Sequence, residues 1–155
     1  MGLVQTAYSS PIGTLRLVSD GEGLVGLYLP DHKREPLPVT EGGDAVLEET
    51  ARQLDAYFAG EAASFELPLR AKGTPFQQSV WAELRRIPRG ETISYGELAK
   101  RLGQPSAVRA VAGANARNPI SIVVPCHRVI GASGKLTGYA GGLTAKEFLL
   151  DLERR

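Results

Sequence analysis

Apolar residues fall into two kinds of spacing along this chain. Leu15-Arg16-Leu17-Val18 and Leu24-Val25-Gly26-Leu27-Tyr28-Leu29 are short apolar runs separated by Gly21-Glu22-Gly23, which predicts two strands joined by a turn. Pro30 ends the second run, and residues 31–43, rich in proline, glycine and charge, read as loop. Val46, Thr50, Leu54, Tyr57 and Phe58 then recur at helical spacing, so the pattern predicts an amphipathic helix over 44–59, with Gly60 as its stop. Phe65-Glu66-Leu67 predicts one further short strand.

Beyond a connection at 68–73 the spacing becomes mainly helical. Thr74-Pro75 opens a helix with threonine as cap and proline at its first position, and Val80, Trp81, Leu84 and Ile87 form its apolar stripe before Pro88 and Gly90. A helix–turn–helix follows: 95–102 with Ser94 as cap, Gly103-Gln104-Pro105 as turn, and 107–115 with Ser106 as cap. In the second of these helices Ala110, Gly113 and Ala114 lie at i, i+3 and i+4, so one face is nearly bare backbone. Such a face suits either close approach to a phosphate chain or a tight contact with another helix. Ile120-Ser121-Ile122-Val123-Val124 predicts a buried strand. The expected fold is therefore α/β (α+β). A small N-terminal antiparallel sheet plus helix occupies 1–70, and a mostly helical C-terminal domain with a winged-helix-like helix–turn–helix occupies 71–155.

Composition narrows the class. The chain has 155 residues, 43% apolar and 23% charged, which is ordinary for a globular protein. No apolar run approaches the ~18 residues of a membrane span, and Met1-Gly2-Leu3-Val4 does not begin a signal peptide, so a cytoplasmic protein without membrane contact is expected. Net charge is +1, but residues 1–70 hold 5 Lys and Arg against 11 Asp and Glu, whereas 71–155 hold 13 against 6. A basic second half points to a polyanion, unless the division is merely one of surface charge. A single cysteine excludes an intramolecular disulfide and a multi-cysteine zinc site. His32 is a lone loop histidine with no cluster around it.

Chemistry concentrates in Pro125-Cys126-His127-Arg128-Val129-Ile130-Gly131. A thiol beside an imidazole and a guanidinium is in a setting that favours the nucleophilic thiolate. Neighbours on a strand point to opposite faces, so His127 and Arg128 reach the thiol only if a turn brings them round.

The run 125–129 resembles the signature of the O6-alkylguanine-DNA alkyltransferases. Ser94-Tyr95, Arg109-Ala110-Val111, Asn118-Pro119, Gly138-Tyr139-Ala140-Gly141-Gly142, Lys146-Glu147 and Glu153 fall at that family's spacings. The resemblance is strong over 71–155 and looser over 1–70. It implies irreversible transfer of an alkyl group, methyl foremost, from O6 of guanine in double-stranded DNA to Cys126, by a monomer without cofactor or metal. O4-alkylthymine is a possible second substrate. O6 lies inside the duplex, so the nucleotide is first flipped out, at a cost of a few kcal/mol.

The same resemblance implies roles. His127 acts as base, Glu153 orients it, Asn118 holds the turn, and Tyr95 donates a proton to the guanine ring. Arg109 fills the gap in the base stack, with Ser94, Ala110, Gly113 and Arg128 on the DNA side. Val124, Val129, Trp81, Tyr139 and Ala140 line the substrate pocket. Some relatives carry zinc in the N-terminal half and a serine where this chain has Ala140; neither feature is expected here. A helix–turn–helix regulator in which Cys126 senses or packs, and a hydrolase using Cys126, His127 and Glu153, are the competing readings. The closeness of Glu153 to the end of the chain also leaves it readable as part of a charged tail.

Overall fold

The structure, a computed structural model, describes residues 2–30, 32, 39–62, 64–134, 136, 139 and 142–155. Its N-terminal half is a four-stranded sheet backed by one helix. Strands β1 (Leu3–Ser10), β2 (Gly13–Ser19) and β3 (Leu24–Tyr28) are antiparallel, β4 (Val39–Glu41) runs parallel to β1, and the order is β3-β2-β1-β4. The sequence pattern locates β2 and β3 but misses β1, whose side chains are mostly half-buried and alternate weakly. It also misses β4, three residues inside the expected loop, which exists only through its pairing with β1. The β1–β2 turn depends on Gly13, whose φ of +107° places its Cα where a Cβ would meet Pro30 Cγ at 2.7 Å.

Helix α1 (Ala45–Phe58) begins at Asp44, whose carboxylate accepts from the Leu47 amide at 2.8 Å and from the Ser19 hydroxyl at 2.6 Å. The cap therefore also ties the helix to the sheet. α1 buries Leu47, Thr50, Leu54 and Tyr57, and Gly60, in the left-handed region at φ +78°, follows its end. The strand expected at 65–67 does not form. The Gln53 amide instead brackets the Glu66 peptide, accepting from its N–H and donating to its carbonyl, both at 2.9 Å, and only Leu69 makes a bridge to Leu24.

The C-terminal half carries α2 (Pro75–Leu84), β5 (Ile93–Ser94), α3 (Tyr95–Arg101), α4 (Val108–Ala116), β6 (Val129–Ile130) and α5 (Leu143–Glu153). Thr74 and Gln77 form a reciprocal capping box at α2, and Ser94 caps α3 by accepting from the Glu97 amide at 3.0 Å. Ser106 does not cap α4, which starts one residue later than expected from Ala107 and has no side-chain cap. β5 and β6 pair in parallel. The buried strand expected at 120–124 is instead a tight turn, with only Ile120 bridged to Leu27. A short buried apolar run carries no period that separates strand from turn.

The two halves share one core. Leu17, Leu24, Leu27, Leu54 and Tyr57 belong to the same buried cluster as Trp81, Leu84, Ile120, Cys126 and Leu149. The outer edge of β3 is covered by the C-terminal half: Leu27 N–H donates to Pro119 carbonyl at 2.9 Å, and Ser121 N–H to Leu27 carbonyl at 3.1 Å.

Candidate active site

Asn118 builds the turn that presents the cysteine. Its Nδ2 donates to the Val124 carbonyl at 2.8 Å and its Oδ1 accepts from the Ile120 amide at 3.0 Å, closing the chain over 118–124. Inside that loop Ile122 has φ +71°, a conformation that costs a β-branched residue about 1–3 kcal/mol and persists only where the surroundings dictate it. The chain emerges at Pro125 into a single turn of 3-10 helix, Cys126–Arg128. With about three residues per turn, successive side chains diverge by about 120° instead of alternating between opposite faces. This allows His127 and Arg128 to reach the same carboxylate.

That carboxylate is Glu153, in the last turn of α5 and only 6% exposed, so the charged-tail reading fails. Its Oε2 accepts from His127 Nε2 at 2.7 Å, Arg128 Nη2 at 2.9 Å and the Tyr57 hydroxyl at 2.6 Å; its Oε1 accepts from Arg128 Nε at 2.8 Å. Burial alone would raise the Glu153 pKa, but the bonds from His127 and Arg128 more than reverse this and hold it below the usual carboxylate range. Burial lowers the pKa of His127, with Glu153 opposing, and Nε2 is the ring nitrogen that meets Glu153. Nδ1 is buried and has no hydrogen-bond partner among the described residues.

Cys126 is 4% exposed. Burial pushes its thiol up to about 11, while the Asn118 side chain and the Lys146 ammonium pull it down. Burial thus outweighs the groups that favour the thiolate, and those groups are Asn118 and Lys146, not the expected His127 and Arg128. The cation that acts on the thiol is Lys146, fully buried on α5 and donating to the Val129 carbonyl at 2.7 Å. The sequence matched Lys146 without giving it a role. The available signal was its spacing: Lys146 and Glu153 lie two turns apart on the stripe that buries Leu149 and Leu150. Tyr57 was hidden in the apolar stripe of α1.

The remaining candidates divide. Tyr139 stands over His127, with ring centroids 6.4 Å apart, and burial together with the nearby Cys126 raises its pKa well above the ordinary value. Val129 is buried beside the turn, and Val124 accepts from Asn118. Tyr95 begins α3, half-buried against the core. Arg109 and Ala110 are exposed on α4, and Arg109 makes no hydrogen bond or ion pair with the described residues. Gly113 faces open space but for Arg117 Nη1 at 3.4 Å from an added Cβ, whereas Ala114 is buried. The small-residue face therefore splits, its 110/113 side outward and Ala114 inward. Ser94 is half-buried and spends its hydroxyl on the cap.

Two assignments are corrected. Arg128 does not face DNA: it is 7% exposed, and its third nitrogen donates to the Ile87 carbonyl at 2.7 Å. Trp81 is buried in the core, its ring so close to Gly73 that an added Cβ there would lie 2.5 Å from Cη2, and its indole donates to the Ala114 carbonyl at 2.9 Å. Gly138, Ala140 and Gly141 lie outside the described residues.

A buried His127–Glu153 pair on the turn that carries Cys126, in the same half as a helix–turn–helix, defines a class: small α+β proteins that combine a buried cysteine with a nucleic-acid-binding motif. Residues 75–155 match the 6-O-methylguanine DNA methyltransferase DNA binding domain, and residues 3–71 match the ribonuclease-like domain of the same proteins. The chain is 54% identical over 148 residues to the methylated-DNA–protein-cysteine methyltransferase of Methanosarcina acetivorans, covering 94% of this chain and 95% of that protein. Its identity to the Mycobacterium leprae protein of the same name is also 54%, over 94% of this chain and 88% of that one. The crystal structure of Mycobacterium tuberculosis OGT in complex with DNA superposes with a TM-score of 0.90 at 47% identity, over 99% of this chain and 93% of that chain. This chain belongs to the 6-O-methylguanine DNA methyltransferase family.

Proposed function

We propose that this protein repairs DNA by taking an alkyl group from O6 of guanine onto Sγ of Cys126, once per chain. The observation that carries the reading is the geometry of His127: its Nε2 is fixed on Glu153, and its Nδ1 has no hydrogen-bond partner among the described residues, on the turn that holds the only cysteine. In the reaction the thiol proton leaves toward His127 Nδ1 and Sγ forms a bond to the alkyl carbon. The carbon–O6 bond breaks, and its electron pair goes to the guanine. Tyr95 delivers a proton to a guanine ring nitrogen, so the base leaves neutral; the thiol's proton is the one finally gained. The product is a thioether, which no other thiol in the chain can resolve.

Asn118 and Lys146 hold and polarise the thiol, and Tyr139, Val129 and Val124 border the alkyl group. Residues 71–155 grip the duplex as a monomer in the cytoplasm, through α4, with Arg109 entering the stack behind the flipped nucleotide. The names of the relatives and the DNA complex of the Mycobacterium tuberculosis protein support this reading.

Mass spectrometry after incubation with duplex containing O6-methylguanine tests it. One methyl per chain, on Cys126, is expected, and none on Cys126→Ala. Repeated turnover by one molecule would favour a hydrolase, and tight binding without alkylation a regulator.

A further inference from the structure

We propose that Tyr57, on α1 in the N-terminal half, is a positioning residue for alkyl transfer, its hydroxyl fixing the carboxylate of Glu153 against which His127 is oriented. Among the described residues Glu153 has four donor contacts, and Tyr57 supplies the one that comes from residues 1–70. Arg128 meets the carboxylate as a planar fork, one nitrogen to each oxygen, which sets its distance and plane. The fork leaves Oε2 shared between Arg128 and His127. The Tyr57 hydroxyl, at 2.6 Å, is the third donor to that same oxygen and fixes where it lies along the edge of the fork.

The phenol is itself held firmly. Its ring lies 5.4 Å from Phe65 and 5.2 Å from Phe58, and the Arg89 guanidinium caps it at 4.8 Å while donating to the Ala62 carbonyl at 2.8 Å. A buried hydroxyl is costly unless bonded, and a phenylalanine would fill the same space. Placing a tyrosine here adds a donor from the N-terminal half to an anion otherwise held by His127 and Arg128. Burial and the Glu153 charge keep the phenol protonated, so it remains a donor across the working pH range. The other ionisable groups that face this cluster are Lys146 and Tyr139 at Cys126, Arg128 at Glu153, and Arg89 at Tyr57.

The proposal rests on the reading of Cys126, His127 and Glu153 as the alkyl-transfer site. Its test uses the full chain and the single-turnover rate with free O6-benzylguanine as a function of pH. Tyr57→Phe keeps the ring and removes the hydroxyl. Near pH 7 it should slow transfer about threefold to tenfold. The midpoint of the pH–rate curve should rise by about half to one unit, with the rates converging at high pH. Duplex substrate should show the same deficit. Phe65→Leu, which loosens the same packing but leaves the hydroxyl, should lower the melting temperature without moving the midpoint. A Tyr57→Phe midpoint that stays put or falls, or an equal shift in Phe65→Leu, overturns the assignment. No alkyl uptake by the unsubstituted chain overturns the reading of Cys126 as acceptor, and this proposal with it.

Discussion

At the scale of single residues, the resting thiol and the base that would relieve it oppose each other. Burial pushes the Cys126 thiol up to about 11 and, by disfavouring the imidazolium, lowers the pKa of His127. Neither charge forms alone, but a proton moved from thiol to imidazole creates both together, with Glu153 and Lys146 as counter-charges. The raised thiol pKa also has a thermodynamic signature. A group whose folded pKa exceeds its unfolded value contributes stability below the unfolded value and loses it as pH rises through the folded one. For Cys126 that window runs from 9.0 to about 11. Relative to Cys126→Ala, the unmodified protein should therefore lose about 2–3 kcal/mol of stability across the window. Urea unfolding at each pH measures this, and S-methylation should abolish the loss as the substitution does. A constant difference between the two proteins would mean that the thiol ionises at its ordinary value.

At the scale of elements, grip and chemistry sit on different supports. Asn118, the 3-10 turn and the end of α5 hold the reacting groups, all buried. α4 packs against α2 and α3 and leaves Arg109 and Ala110 in solvent. On the proposed reading, in which Arg109 holds the flipped state, Arg109→Ala should therefore slow repair of a duplex at least about tenfold. It should change the rate with free O6-benzylguanine by less than about twofold, since that substrate needs no flipping. Parallel single-turnover assays decide it, and equal losses on both substrates would remove Arg109 from the flipping step. The elements also show where local pattern suffices. α1, α2 and α3 carry their start signals in Asp44, Thr74-Pro75 and Ser94, and the sequence locates all three. The segment 120–124 has no such punctuation, and what bends it is the Asn118 side chain bonding across six residues to Val124.

At the scale of the whole molecule, an acidic and a basic half share one core. The excess of 13 basic over 6 acidic residues in 71–155 predicts binding to undamaged duplex that is weak, indifferent to sequence and steeply reduced by salt. Titration at several salt concentrations should give a linear fall of log affinity with log salt; a flat response or tight sequence preference would contradict phosphate neutralisation as its source. The acidic half is more than a scaffold next to this surface. It covers Ile120 and Ser121 with β3 and reaches Glu153 with Tyr57, so the contacts around Glu153 are completed across the two halves.

The sequence by itself determined the apolar stripes, the caps, the single nucleophile and the uneven charge, because each is written in residue type and short spacing. Cys126, His127, Asn118 and Glu153 were nameable from it through their resemblance to a known signature. Only the tertiary structure decided what those groups do to one another. Arg128 and Glu153 are 25 residues apart, and Tyr57 and Glu153 are 96 apart, so no local pattern announces that one carboxylate receives both. Arg128 was expected as a DNA contact and Lys146 was given no role, because sequence shows charge without burial. Folding removed both from water, and a buried charge must find a partner. That requirement committed Arg128 to Glu153 and Lys146 to the Val129 carbonyl, where its charge also acts on the thiol.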